Sequence, residues 1–307
     1  MGGSDHARHL GVHMPQMGLL PGGGSFGNYT AGNLQAYFAA IGVDPRTLSW
    51  SGRPVITLKR QRPQGVDVPA NLTAAARDAV ELGCVLHVQE VDHNPSYPGP
   101  TTGVTEAGWM RSVLNAMMLS LDSWLTTIGA DRRRVLISYG NERDIAAVGG
   151  GSVWQGQPGS LDVDGEWFHR EGAFMEAVRD RLRCLPAFGN DASEVSQMRS
   201  LPQRLAIFRE WDVEPAAMFY HGYGTGGHHA VLVQLLRTIA RRAGFQGRIV
   251  GGELARRVDT SAGDEADRAK SGEWWRLYAH EVARTQDMAG CFFLLTEAAQ
   301  VPQILEA

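Results

Sequence analysis

The chain has almost no lysine, few cysteines, no long apolar run and no excess of charge of either sign. Lys59 and Lys270 are its only lysines, so nearly all of the 29 basic residues are arginines. With abundant Ala and Gly, that bias reads as a GC-rich coding sequence and speaks to origin rather than chemistry. The basic residues are nearly cancelled by 33 acidic ones, leaving a formal charge of −4. This excludes the strong positive field that nucleic-acid binding needs. Cys84, Cys184 and Cys291 are widely spaced and odd in number, so they form neither a disulfide framework nor a zinc knuckle. Each sits in an apolar run and is expected to be buried as a small hydrophobe. The longest apolar run, Cys291–Leu295, falls far short of the roughly 20 residues that span a bilayer. Met1–Gly11 carries His6, Arg8 and His9 among small residues and does not read as a leader. Any export signal is expected to have been removed or to lie elsewhere in a longer protein. The chain also lacks GxxxxGK[ST], and its Gly22-Gly23-Gly24 run is not a GxGxxG fingerprint, so no nucleotide cofactor is expected.

What the chain does have is bulk and rhythm. Its 307 residues, 43% hydrophobic and 20% charged, suffice for one large domain over residues 1–307. Short β-like runs recur at about 35 to 40 residues, each followed by a stretch with helical spacing. The candidate strands are His9–Met14, Val55–Leu58, Cys84–Val91, Val135–Tyr139, Cys184–Phe188, Ala217–His221, Arg248–Gly252 and Gly290–Leu295. Amphipathic stretches such as Asn71–Leu82, Glu106–Thr127, Arg170–Leu182, Ala230–Arg242 and Gly272–Arg284 lie between them. Eight βα units predict an α/β fold of the (β/α)8 TIM-barrel class. An open doubly wound sheet uses the same units and differs only in closure. Only Thr296–Ala307 follow the eighth strand, which leaves room for a short or incomplete last helix and suggests a domain of a larger protein.

In a barrel, catalytic groups gather at the carboxyl ends of the strands. The fourth strand runs into Gly140-Asn141-Glu142-Arg143 and the seventh into Gly251-Gly252-Glu253. A carboxyl group held at a strand end is suited to deliver a proton, and the amide of Asn141 to hydrogen-bond a substrate hydroxyl. A single Glu after a strand is more often a helix N-terminal charge or a surface residue. Two of them, on strands that face each other across a barrel mouth, are the paired carboxylates that glycoside hydrolysis requires.

On these motifs the chain resembles the large clan of retaining (β/α)8 glycoside hydrolases that includes cellulases, mannanases and β-glucosidases, with features of the family-5 type. The resemblance implies Glu142 as acid/base and Glu253 as nucleophile. His221-Gly222-Tyr223 looks like the His-x-Tyr that often ends strand 6; Tyr223 would then hydrogen-bond the nucleophile and His221 support the site. Asp92-His93-Asn94 resembles a strand-3 end, with His93 lining the glycone pocket. Arg60 is the implied cation near the nucleophile, with Lys59 and Arg62 as competitors. Two departures stand out: strand 8 carries Phe293 and no Trp, and Gly140 occupies the place of an aromatic before Asn-Glu. The floor under the sugar would come from Phe293 or a loop aromatic. Trp154, in the Gly-rich Gly149–Gly156, reads as a sugar-stacking platform. Trp109, Trp124, Trp211, Trp274 and Trp275 read as core or helix-packing residues, and Trp167 at a helix start fits either role.

The resulting expectation is a retaining glycoside hydrolase with a carbohydrate substrate, no cofactor, no metal and no nucleic-acid partner. That substrate class favours an extracellular or virion-associated setting. One alternative is a non-catalytic carbohydrate-binding barrel of a larger extracellular or virion protein. A second is a metal-dependent barrel hydrolase, which needs clustered histidines. His9 and His13 lie four apart on strand 1 and project to opposite ends of it, and His228-His229 reads as a solvated helix start.

Overall fold

A computed structural model of the chain describes residues 10–14, 31–40, 42–61, 70–91, 109–140, 161–190, 194–222, 227–254 and 290–293. Eight parallel strands close into a barrel in chain order. They are β1 (Leu10–Met14), β2 (Val55–Gln61), β3 (Val85–Val91), β4 (Val135–Tyr139), β5 (Leu185–Gly189), β6 (Ala217–Gly222), β7 (Arg248–Leu254) and β8 (Gly290–Phe293). Leu10 of β1 lies level with Gly290 of β8, and this pairing excludes the open sheet. Helices α1 (Asn33–Ala40), α2 (Ala70–Glu81), α3 (Asn115–Thr127), α4 (Leu161–Ala177), α5 (Glu194–Glu210) and α6 (Gly227–Arg242) follow β1 to β6 in turn. The expected helix at Gly272–Arg284 and the last one after β8 lie outside the described residues. Strand ends shift by up to three residues from expectation; β2, for example, continues through Lys59, Arg60 and Gln61.

Strand parity divides the apolar residues between two cores. Val55, Val85, Leu136, Ala187, Ala217, Phe219 and Val250 fill the barrel. Their neighbours Ile56, Leu58, Leu86, Val88, Ile137, Phe188, Met218 and Ile249 form the outer core with the helices. On α2 the buried Leu72, Ala75, Ala76 and Ala79 recur at three- and four-residue intervals, so one helical stripe covers the sheet. Both strand faces are buried, which is why these strands read as continuous apolar runs. Among the described residues no helix is long and apolar enough to cross a membrane.

Cys84 and Cys184 are buried free thiols, as their apolar surroundings predicted. Desolvation pushes both up to about 12. From the ordinary value of 9.0, the unfolded thiols ionise while the folded ones keep their protons, so stability falls as pH rises from there toward about 12. Native protein at pH 8 should leave both thiols unmodified by iodoacetamide, whereas urea-unfolded protein reacts at once; equal labelling of the two states by mass would refute this burial.

Phe188 is fully buried and meets Phe208 and Phe245 edge-on, with centroids 5.1 and 5.5 Å away. Phe188→Ala should lower the unfolding free energy in a urea titration by about 3–5 kcal/mol. A loss below about 1 kcal/mol would mean that this cluster contributes little.

Candidate active site at the carboxyl ends of the strands

The barrel interior changes character along its axis. The apolar layer of Val55, Val85, Leu136, Ala187 and Ala217 lies toward the amino ends of the strands. Above it the inward positions turn polar and bond to one another. Thr57 Oγ1 lies 3.0 Å from His87 Nδ1, His87 Nε2 lies 2.8 Å from Ser138 Oγ, and Asn190 Nδ2 donates to Ser138 Oγ at 3.0 Å. This chain crosses β2, β3, β4 and the end of β5. His87 is fully buried and stacks on Phe219, with centroids 3.5 Å apart and planes 7° apart. One level higher, Gln89 Nε2 donates to the Gly140 carbonyl at 3.0 Å. Buried polar groups persist only when they are satisfied, and here the satisfying partners come from neighbouring strands.

Glu253 lies in β7, next to the fully buried His221 of β6. The two strands run in register through Tyr220 and Gly251, then slip by one residue so that His221 pairs with Glu253. A β-bulge of this kind re-aims a strand and is common beside active sites. Gly252 is the residue skipped. A Cβ there would stand 3.3 Å from Phe219 Cβ, 3.4 Å from Asn190 Oδ1 and 3.5 Å from His221 Cδ2, so β7 passes close to its neighbours just before the carboxylate-bearing position.

At β4 the structure accounts for the missing aromatic. Gly140 has φ +80°, its N–H donates to the Glu90 carbonyl at 2.8 Å, and a Cβ there would lie 2.3 Å from the Trp167 ring. Only glycine fits this position. The ring that excludes a side chain there comes from α4: Trp167 is buried and stacks on Tyr139 at 4.7 Å. Trp167 is therefore a packing residue. Trp124 and Trp211 also pack against the core, as expected. Asn141, Glu142, His93, Tyr223 and Trp154 lie outside the described residues. Glu142 follows Tyr139, the last residue of β4, by three positions.

The expectation for Arg60 is corrected. It belongs to the outward parity of Ile56 and Leu58, and its side chain is 1% exposed beneath α3. There it pairs with Glu90 at 3.1 Å, donates to Ser120 Oγ at 3.0 Å and lies 5.0 Å from the centroid of Trp124. Lys59 instead shares the parity of Val55 and Thr57. Sequence reasoning passed over Thr57, Gln89, Ser138 and Asn190. Their mark was present: polar side chains inside or just after otherwise apolar strands. A second buried ion pair supports the end of β5. Arg204 of α5 grips Glu171 of α4 through two bonds of 3.0 Å and donates to the Gly189 carbonyl at 3.4 Å. Among the described residues no three His, Cys, Asp or Glu side chains gather into a group that could hold a metal ion.

No family model matches the chain, and no curated protein matches it. Solved structures do. A family 5 xyloglucanase from Paenibacillus pabuli superposes with a TM-score of 0.60 at 10% identity, over 98% of this chain and 99% of that one. A broad-specificity endoglucanase from Clostridium acetobutylicum gives 0.58 at 10% identity, covering 94% and 87%. A modular endo-β-1,4-mannanase of glycoside hydrolase family 26 from Cellulomonas fimi gives 0.56 at 15% identity, covering 97% and 69%. At these identities the shared property is the barrel fold.

The structural assignment of Arg60 can be checked through its partner. Glu90→Ala removes the carboxylate that faces a buried guanidinium and should cost about 3–5 kcal/mol. The double variant Arg60→Met/Glu90→Leu removes both charges and should recover most of that loss in denaturant titrations. If the double variant is as unstable as the single one, the loss does not arise from unbalanced charge in this pair.

Proposed function

We propose that the protein is a retaining glycoside hydrolase acting on a poly- or oligosaccharide, with Glu253 as nucleophile and Glu142 as acid/base. The observation that carries this reading is the β6–β7 slip, which sets Glu253 level with His221 at the polar end of the barrel. The similar folds of proteins named as a xyloglucanase, an endoglucanase and a mannanase support it. In this reading the Glu253 carboxylate attacks the anomeric carbon while Glu142 gives its proton to the departing glycosidic oxygen. The bond to the leaving sugar breaks and an ester to Glu253 forms. Glu142, now ionised, takes a proton from water, and the resulting hydroxide displaces Glu253 from the anomeric carbon. Two inversions restore the starting configuration. Asn141 holds a hydroxyl of the sugar, Tyr223 donates to Glu253, and His93 and Trp154 contact the glycan. His221 braces β7 beside the nucleophile. Lys59, with the inward parity that Arg60 lacks, supplies the cation of the β2 end.

A panel of aryl glycosides and polysaccharides tests the reading. Glu253→Ala should be inactive and recover turnover with azide, releasing a glycosyl azide of inverted configuration. Glu142→Ala should lose about 100- to 10,000-fold on a natural glycan and far less on an activated aryl glycoside. Crystals should place the two carboxyl groups about 5 to 5.5 Å apart. If folded wild type binds a glycan and cleaves nothing on the panel, the barrel is a carbohydrate-binding module and this proposal fails.

A further inference from the structure

We infer that Asn190 is a positioning residue that ties the strand carrying Glu142 to the strand carrying Glu253. This rests on the hydrolase reading above and adds to it a residue that sequence motifs did not mark. Asn190 directly follows β5 and is buried. Its backbone has φ +63°, a left-handed conformation that Asn tolerates better than most residues but that still needs support from its surroundings. That support is present. The Asn190 N–H donates to the Phe219 carbonyl of β6 at 2.9 Å. The preceding Gly189 carbonyl is held by Arg204, and a Cβ at Gly189 would collide with the Phe219 carbonyl at 2.0 Å. Packing and hydrogen bonds therefore fix the residue from both sides.

The side chain held in this way faces two strands at once. Nδ2 donates to Ser138 Oγ on β4, one turn of the strand below the Gly140-Asn141-Glu142 exit. Oδ1 lies 3.4 Å from the Cβ position of Gly252, the residue immediately before Glu253. The amide bonds to β4 and packs against β7, so a single rigid group spans the gap between the two strands that carry the paired carboxylates. Behind it, Ser138, His87 and Thr57 continue the bonded chain across to β2. Catalysis by two carboxylates depends on their separation, and a displacement of about 1 Å can cost on the order of 100-fold in rate. Asn190 keeps that separation without touching the sugar.

The test uses the full chain. Asn190→Gly keeps the left-handed backbone and removes only the amide, and Ser138→Ala removes its partner on β4. Each should lower the kcat of the folded protein on the best substrate of the panel by roughly 10- to 100-fold, with KM within about twofold, when assayed well below that variant's own thermal midpoint. The double variant should lose no more than the worse single variant, because the two groups act as one unit. A merely structural role would lower the midpoint and leave the kcat of the folded fraction intact, and that result overturns the inference. Should Asn190→Gly fail to fold, Ser138→Ala decides alone, and an unchanged kcat overturns it. Wild-type kcat in both variants, alongside a dead Glu253→Gln, refutes Asn190 but spares the hydrolase reading. An inactive wild type refutes both.

Discussion

Closure of a parallel sheet on itself gives every strand residue one of two neighbourhoods, and the rest of the molecule follows from that parity. An eight-stranded barrel is just wide enough for its side chains to fill it. Inward positions near the amino ends of the strands are therefore taken by Val, Leu and Ala. Toward the carboxyl ends the filling becomes Thr57, His87, Gln89 and Ser138, whose hydrogen bonds run from strand to strand. The interior thus has a dry, apolar floor and a bonded polar lid. The one described departure from regular register among the strand pairs, at Tyr220/His221, falls in that polar region and sets the pairing of His221 with Glu253.

Outside the barrel, two ion pairs brace the same level. Arg60 with Glu90 lies under α3, and Arg204 with Glu171 lies between α4 and α5. Removing two charges from water costs about what their attraction returns, so such pairs contribute geometry more than net stability. Arg204 illustrates this, because Nη2, one of the two nitrogens that grip Glu171, also donates to the last carbonyl of β5. The barrel wall is thereby fixed from outside at the height where polar groups line it from inside.

The strands were legible because burial on both faces leaves a continuous apolar run, and Gly, Pro and polar residues punctuate the runs cleanly. The same double burial hid parity. Nothing in Lys59-Arg60-Gln61 marks which residue faces inward, since apolar neighbours occupy both faces of β2, and so Arg60 was assigned to the wrong side. Gly140 was legible as a departure, but its cause was not: the Trp167 ring that requires it lies on the following helix. The bulge left only a faint trace, the adjacent pair Gly251-Gly252. Asn190 left only its polarity just after an apolar run, because its backbone conformation and its partners on β4 and β6 exist only once the strands are assembled. The carboxylates of Glu142 and Glu253 rest on the sequence pattern, since charge at the end of an apolar run needs no tertiary context to be seen.

The pairing of β1 with β8 also sets the order in which the molecule can be made. Residues 10 and 290 must meet for the sheet to lose its edges, and contacts so distant along the chain are slow to form. Until the last strand emerges from the ribosome, β1 and β7 present open edges to any other nascent chain. For this chain the unclosed sheet, and not the finished barrel, is the species that offers free strand edges during synthesis.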